Sequence, residues 1–156
     1  MKITVLCVGR TREGFIQAGI EKYVRFLRPY AAVTVRELRE ERVDDLKDAP
    51  RVRQREAEKI ADALPAGCQT VALDERGREF TSHEFAVFLN DALEKGVREM
   101  VFIIGGSMGL DPSVTDKAHS TLALSRWTLT HEMARVVLLE QLYRAFTIIK
   151  GKTYHY

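Results

Sequence analysis

At 156 residues, 46% of them hydrophobic, the chain fits one domain with a sizeable core. Its 24 basic and 22 acidic side chains leave a net charge of +2, far from the strong positive excess of a dedicated nonspecific nucleic-acid binder. The longest apolar stretches, residues 100–106 and 136–139, are much too short for a bilayer span, so the expectation is a soluble, cytoplasmic protein with no membrane partner.

Residues 2–8 form a β-branched run ended by Gly9, which reads as a strand and not as a secretory leader. Residues 15–27 follow with Ile16, Ile20, Tyr23, Val24 and Leu27 on one side, a helix stopped by Pro29. Residues 32–38 alternate as a second strand, and a charged connection leads to a helix over about 50–64. The charged stretch 36–59 mixes arginines and lysines with acids and fits a solvated face or, less simply, a phosphate-binding patch. Cys7 and Cys68 have neither Cys-x-x-Cys spacing nor nearby histidines, so two buried thiols are expected, with no metal site and no disulfide framework.

A third strand is predicted at 70–73. Thr81, with Glu84 three residues on, has capping-box spacing for a helix carrying Phe85, Phe88, Leu89 and Leu93. Residues 100–104 are apolar throughout, the mark of a strand central in its sheet. Asp111-Pro112 opens a short helix to about 118, a brief strand spans 121–125, and a long helix runs from 131 to about 149 with Thr130 as its N-cap. Strands alternating with helices predict an α/β fold whose parallel-dominated sheet carries helices on both faces.

The last helix is apolar on nearly every side. Twelve of its nineteen residues are apolar, with Met133 and Val137 opposite Leu142 and Ile149. A helix covered so widely is either central in its domain or packed on a second protomer, and in so small a chain the expectation is a symmetric homodimer.

Three segments are candidates for chemistry. Gly105, Gly106 and Gly109 directly follow the central strand, where open α/β sheets bind ligands and where glycines let backbone come close to a ligand, although a plain turn fits equally. The loop is neither Gly-x-Gly-x-x-Gly nor a Walker loop, which disfavours a nucleoside triphosphate. Residues 73–77 and 125–130 end neighbouring strands and would meet it at the same edge. His131 and Arg135 share a face of the last helix, and a first-turn histidine is biased by the helix dipole toward the neutral, proton-accepting form. Support of the preceding loop is the simpler role for it. Glu140 and Arg144 have ion-pair spacing, and the basic, aromatic segment Lys150-Gly151-Lys152-Thr153-Tyr154-His155-Tyr156 suits phosphates and unpaired bases, or is a frayed terminus.

Taken together, Leu73-Asp74, residues 104–110, Leu124-Ser125-Arg126-Trp127-Thr128-Leu129, residues 131–145 beginning His131-Glu132-Met133-Ala134-Arg135, and Tyr154-His155 closely resemble the RlmH family over the whole chain. RlmH proteins are SPOUT-superfamily enzymes, whose α/β domain has a C-terminal trefoil knot and binds S-adenosylmethionine in the knotted loops. The resemblance implies a homodimer that methylates N3 of pseudouridine 1915 in 23S ribosomal RNA, with no DNA partner. It places cofactor contacts at Leu73, Gly105, Gly106 and the run Leu124, Ser125, Arg126, Trp127, Thr128 and Leu129. Substrate handling falls to His131, Arg135, Arg144, Tyr154 and His155, with the tail of one protomer completing the site of the other. Ser107-Met108 stands where members vary, and the last residue is Tyr156 in place of a charged one. The alternative is a noncatalytic ribosome-binding factor using the same dimer and tail.

Overall fold

The computed structural model describes residues 1–153, so Tyr154 and His155 lie outside the described residues. In chain order the elements are β1 (Lys2–Val8), α1 (Gly14–Leu27), β2 (Ala32–Leu38), a 3₁₀ turn (Leu46–Asp48), α2 (Ala49–Ala63), β3 (Gln69–Glu79) and α3 (Ser82–Glu94). Then come β4 (Glu99–Ile104), α4 (Pro112–Lys117), β5 (Ser120–Ala123) and α5 (His131–Ile149).

The five strands form one sheet in the order β2-β1-β4-β3-β5, and every pairing between them is parallel. β4 is central, as its unbroken apolar run requires. Alternation along the strands divides the core. Ile3, Val5 and Cys7 of β1 face α1, α3 and α5, meeting Ile16, Leu89 and Leu138. Leu6 and Val8 face the opposite layer, meeting Ile60 of α2 and Leu110 ahead of α4. Burial pushes the Cys7 thiol up to about 12, which makes it an inert part of the packing.

The helix starts obey local chemistry. Thr81 and Glu84 form the reciprocal capping box, Asp111 accepts from the Ser113 amide, and Thr130 accepts from that of Met133. Each such cap is worth about 1 kcal/mol.

Two features differ from the expectation. β3 continues well past Leu73: both Leu73 and Arg78 are in register with Leu122, so residues 74–77 bow out before pairing resumes. Polar residues hide this, because the second half is held by backbone pairing and not by burial. At Gly77 a Cβ would stand 2.6 Å from the Leu122 amide nitrogen, and only glycine lets the two chains pass so closely. The strand predicted at 121–125 accordingly ends sooner, at Ala123.

The second difference is α5, which lies between α1 and α3 over the sheet. No residue of 131–149 is fully exposed, so its wide apolar surface is explained largely within one chain. Val136 packs so close to α1 that a Cβ on Gly19 would be 3.2 Å from its Cγ1. Among the described residues, no helix is long and apolar enough to cross a membrane.

Candidate active site

From β1 the chain turns to α1 on one face of the sheet, and from the adjacent β4 it turns to α4 on the other. Neighbouring strands whose connections part in this way leave a crevice at their carboxyl ends. An open cleft of about 1200 Å³ occupies it. Its walls are the glycine loop 105–110, residues 73–76 of β3, residues 124–130 and the first turn of α5, with Phe15 and Ile16 of α1 and Arg53 of α2.

The three segments singled out in the sequence therefore meet. Leu73, Gly105, Gly106, Leu124, Ser125, Trp127, Thr128 and Leu129 all line the cleft. Arg126 does not: it turns outward and pairs with Glu79 at 2.9 Å. The Trp127 ring is 84% exposed, at the rim. Asp74 is bound by Arg76, whose side chain, amide and charge hold its carboxyl below the usual range.

The glycine loop has a different logic from the one its composition suggests. A Cβ on Gly105 would lie 2.8 Å from the Gly109 carbonyl carbon, so the glycine lets the loop fold on itself. Gly109, at φ +75°, donates to the Gly106 carbonyl at 3.0 Å and closes the turn. Gly106 faces side chains: a Cβ there would be 3.2 Å from both Glu56 Oε2 and Val8 Cγ1.

The start of α5 is fastened to the loop after β1. Glu132 accepts from the amides of Arg12 and Glu13 at 3.0 and 3.2 Å, capping α1 from another helix. Arg135 is 0% exposed. Its guanidinium donates to the carbonyls of Val8 (3.0 Å) and Gly9 (2.9 Å), to the Thr11 hydroxyl (2.6 Å) and to Glu37 (3.2 Å). Both terminal nitrogens are thus occupied, and Arg135, unlike His131, is not among the residues that line the cleft, so this geometry holds it against the end of β1 and does not present it to a substrate. Gly9, at φ +88°, brings the chain so near that a Cβ on it would lie 3.5 Å from His131 Nε2. His131 lines the cleft, and burial, then the Arg135 charge, lower its pKa from the ordinary histidine value. The neutral form expected from the helix dipole is thus favoured, with desolvation as the leading cause.

Arg144 is not part of this cluster. It pairs with Glu140 at 2.6 Å, three to four turns along α5 and about 20 Å from His131 at 1.5 Å per residue. Sequence reasoning missed the loop after β1, and it offered Arg53 and Glu56 only within the charged stretch 36–59, as a solvated face or a phosphate-binding patch. The first carried a legible signal, since Gly9 ends a buried strand just as Gly105 does. The helix pair carried none, because their pattern matches that of their solvent-facing neighbours.

A parallel sheet whose strand ends carry glycine-rich and apolar loops around one open cleft, without phosphate-loop motifs, defines an α/β domain with a ligand-sized crevice at its sheet edge. Residues 1–155 match the family described as "Predicted SPOUT methyltransferase". Ribosomal RNA large subunit methyltransferase H of Geobacter sp. (strain M21) is 44% identical over 156 residues, covering 100% of this chain and 99% of the relative. The protein of the same name from Symbiobacterium thermophilum is 42% identical over 160 residues, covering 99% of each. A solved structure, that of a probable methylase family protein from Haemophilus influenzae Rd KW20, shares the fold at a TM-score of 0.55 and 16% identity, covering 99% of this chain and 70% of that one. The chain belongs to the SPOUT methyltransferase family.

Proposed function

We propose that the protein transfers a methyl group from S-adenosylmethionine to large-subunit ribosomal RNA in the cytoplasm, at N3 of pseudouridine 1915, and that it does so as a homodimer. The observation that carries this reading is the meeting of the glycine loop, residues 73–76 and residues 124–130 in one cleft beside His131. The residues fit the cofactor: Leu73, Ile104, Leu122 and Leu129 offer an apolar bed for an adenine, and the turned glycine loop presents backbone groups to its polar parts. Bound there, the cofactor supplies an electrophilic methyl group on a sulfonium. The chain's part is to hold the acceptor in line, a positioning effect worth roughly 7–11 kcal/mol of barrier. Neutral His131, which lines the cleft, is the candidate acceptor of the N3 proton.

Reach supports a second protomer. α5 ends at Ile149, about 27 Å from His131 at 1.5 Å per residue. Lys152 is already settled with Nζ 5.3 Å from the centre of the Tyr30 ring. Three residues beyond it span about 11 Å at most, too little to return to the cleft of the same chain. This supports a reading in which the tail, and Arg144 with it, serves the cleft of a partner. Tyr154 and His155 supply a stacking ring and a hydrogen-bonding group beside the target base.

Calorimetric titration with S-adenosylmethionine, light scattering and a ribosomal RNA methylation assay test the proposal together. The expected results are binding, about twice the 17.8 kDa chain mass, and methylation. Deleting residues 153–156 leaves cofactor affinity intact and removes methylation, and mixing with a Gly105→Ala chain restores part of it. Absence of cofactor binding overturns the reading. A monomer, or full activity of the truncated chain, overturns the shared site, and binding without methylation points instead to a ribosome-binding factor.

A further inference from the structure

α2 is densely charged, and most of its cations are spent at the surface. Arg51 pairs with Asp48 at 3.8 Å, Arg55 with Glu41 at 3.6 Å, and Lys59 with Glu41 as well. Arg53 is the exception. It is half-buried, lines the cleft, and among the described residues has no ion pair and no hydrogen bond. The acid that feels it is Asp111, whose carboxyl is held low by the Ser113 hydroxyl and amide first and by the Arg53 charge last.

The helix turn that carries Arg53 is fixed in place. Three residues on, and so on the same face, Glu56 is 4% exposed. Its Oε1 accepts from the Glu41 amide at 3.0 Å, and its Oε2 lies against Gly106. Burial raises the Glu56 carboxyl above its ordinary value. Glu56 thus ties α2 to the connection before it and packs beside the glycine loop, which helps preorganise the backbone under Arg53.

The other ionic groups of the cleft make the cation distinctive. Arg76 is committed to Asp74, while Glu13, Glu75 and Glu132 are acids. An anion entering a cleft with so many carboxylates has one uncommitted guanidinium, among the described lining residues, to receive it. Arginine suits that task, since its planar fork makes two parallel hydrogen bonds to a carboxylate or phosphate.

We propose that Arg53 is an anion-binding residue of the cleft, receiving either the carboxylate of the cofactor's amino-acid part or a phosphate of the RNA. The inference rests on the cofactor and RNA reading given above. It also assigns a purpose to one member of a charged helix whose other cations only solvate it.

The test compares wild type with Arg53→Gln, Arg53→Lys and the surface control Arg55→Gln. Calorimetry is run with S-adenosylmethionine and with its decarboxylated analogue, which keeps the sulfonium and amine. If the anion is the carboxylate, Arg53→Gln weakens S-adenosylmethionine about ten-fold or more and leaves the analogue unchanged, with partial recovery in Arg53→Lys. If it is a phosphate, cofactor affinity is unchanged, the KM for ribosomal RNA rises, and the logarithm of RNA affinity falls less steeply with salt, by about one phosphate contact. Equal weakening of both small ligands marks general damage to the pocket and overturns the proposal. So does an Arg53→Gln protein that matches wild type and Arg55→Gln throughout. Wild-type protein that binds neither cofactor nor RNA overturns the underlying reading, and Arg53's role falls with it.

Discussion

Replacing Arg135 with methionine keeps the length of the side chain but deletes four hydrogen bonds at 2.6–3.2 Å. The carbonyls of Val8 and Gly9 and the carboxylate of Glu37 then lose their shared donor. Removing one partner from a buried charged cluster costs about 3–5 kcal/mol. The lower end applies here for two reasons: the Glu37 side chain, 34% exposed, recovers water, and among the described residues Arg135 Nε has no partner to lose. With a urea dependence of about 2 kcal/mol per molar, a loss of about 3 kcal/mol lowers the unfolding midpoint by about 1.5 M. Circular dichroism in a urea series at fixed protein concentration measures it. If the midpoint moves by less than about 0.5 M while methyl transfer disappears, Arg135 touches substrate and the positioning argument is wrong.

Two further outcomes are expected. Gly105→Ala drives a methyl group into the Gly109 backbone and lowers cofactor affinity by about ten-fold or more, whereas Gly106→Ala meets side chains that can shift and has a smaller effect; calorimetry on the pair that gave the reverse order would contradict the loop geometry. His131 has a folded pKa below its unfolded one, so between the two values the unfolded chain binds the extra proton and stability falls as pH drops from near the ordinary histidine value. His131→Gln removes that part of the fall, and pH–stability curves of variant and wild type that stay parallel from about pH 7.5 to 5 would show that His131 is not desolvated.

Local chemistry made much of this legible. The apolar run of β4, the Thr81–Glu84 box, the Asp111-Pro112 start and the Thr130 cap each depend on residues within a few positions of one another, and each stands where those residues place it. The glycine loop and its two neighbours were readable as strand ends because parallel strands bring such ends to one edge. What escaped depends on partners far along the chain. Residues 74–77 bow out because Leu122 pairs with both Leu73 and Arg78, which no window around Asp74 reveals. The broad apolar surface of α5 meets α1 on one side and α3 on the other, partners that no window around residues 131–149 reveals. Arg135 looked like a substrate ligand because a conspicuous cation beside a histidine reads the same whether it points to solvent or to the end of β1. Arg53 and Arg55 are two residues apart on one charged helix, and only the position of the glycine loop separates their surroundings.

The fastening of α5 to the first loop joins residues at opposite ends of the chain: Arg135 to Val8 across 127 positions, and Glu132 to Arg12 across 120. Synthesis delivers the loop after β1 early, and its carbonyls must wait for nearly the whole protein before their donor exists. Contacts of such separation form late, after the loop-closure entropy has been met. A nascent chain that stops short of α5 has all five strands and the loops at their ends, but lacks the helix that completes the cleft wall and fastens the loop after β1. For a protein that acts on ribosomal RNA, this means that the growing chain, tethered to a ribosome throughout its synthesis, has no assembled site for that RNA until its last helix has emerged.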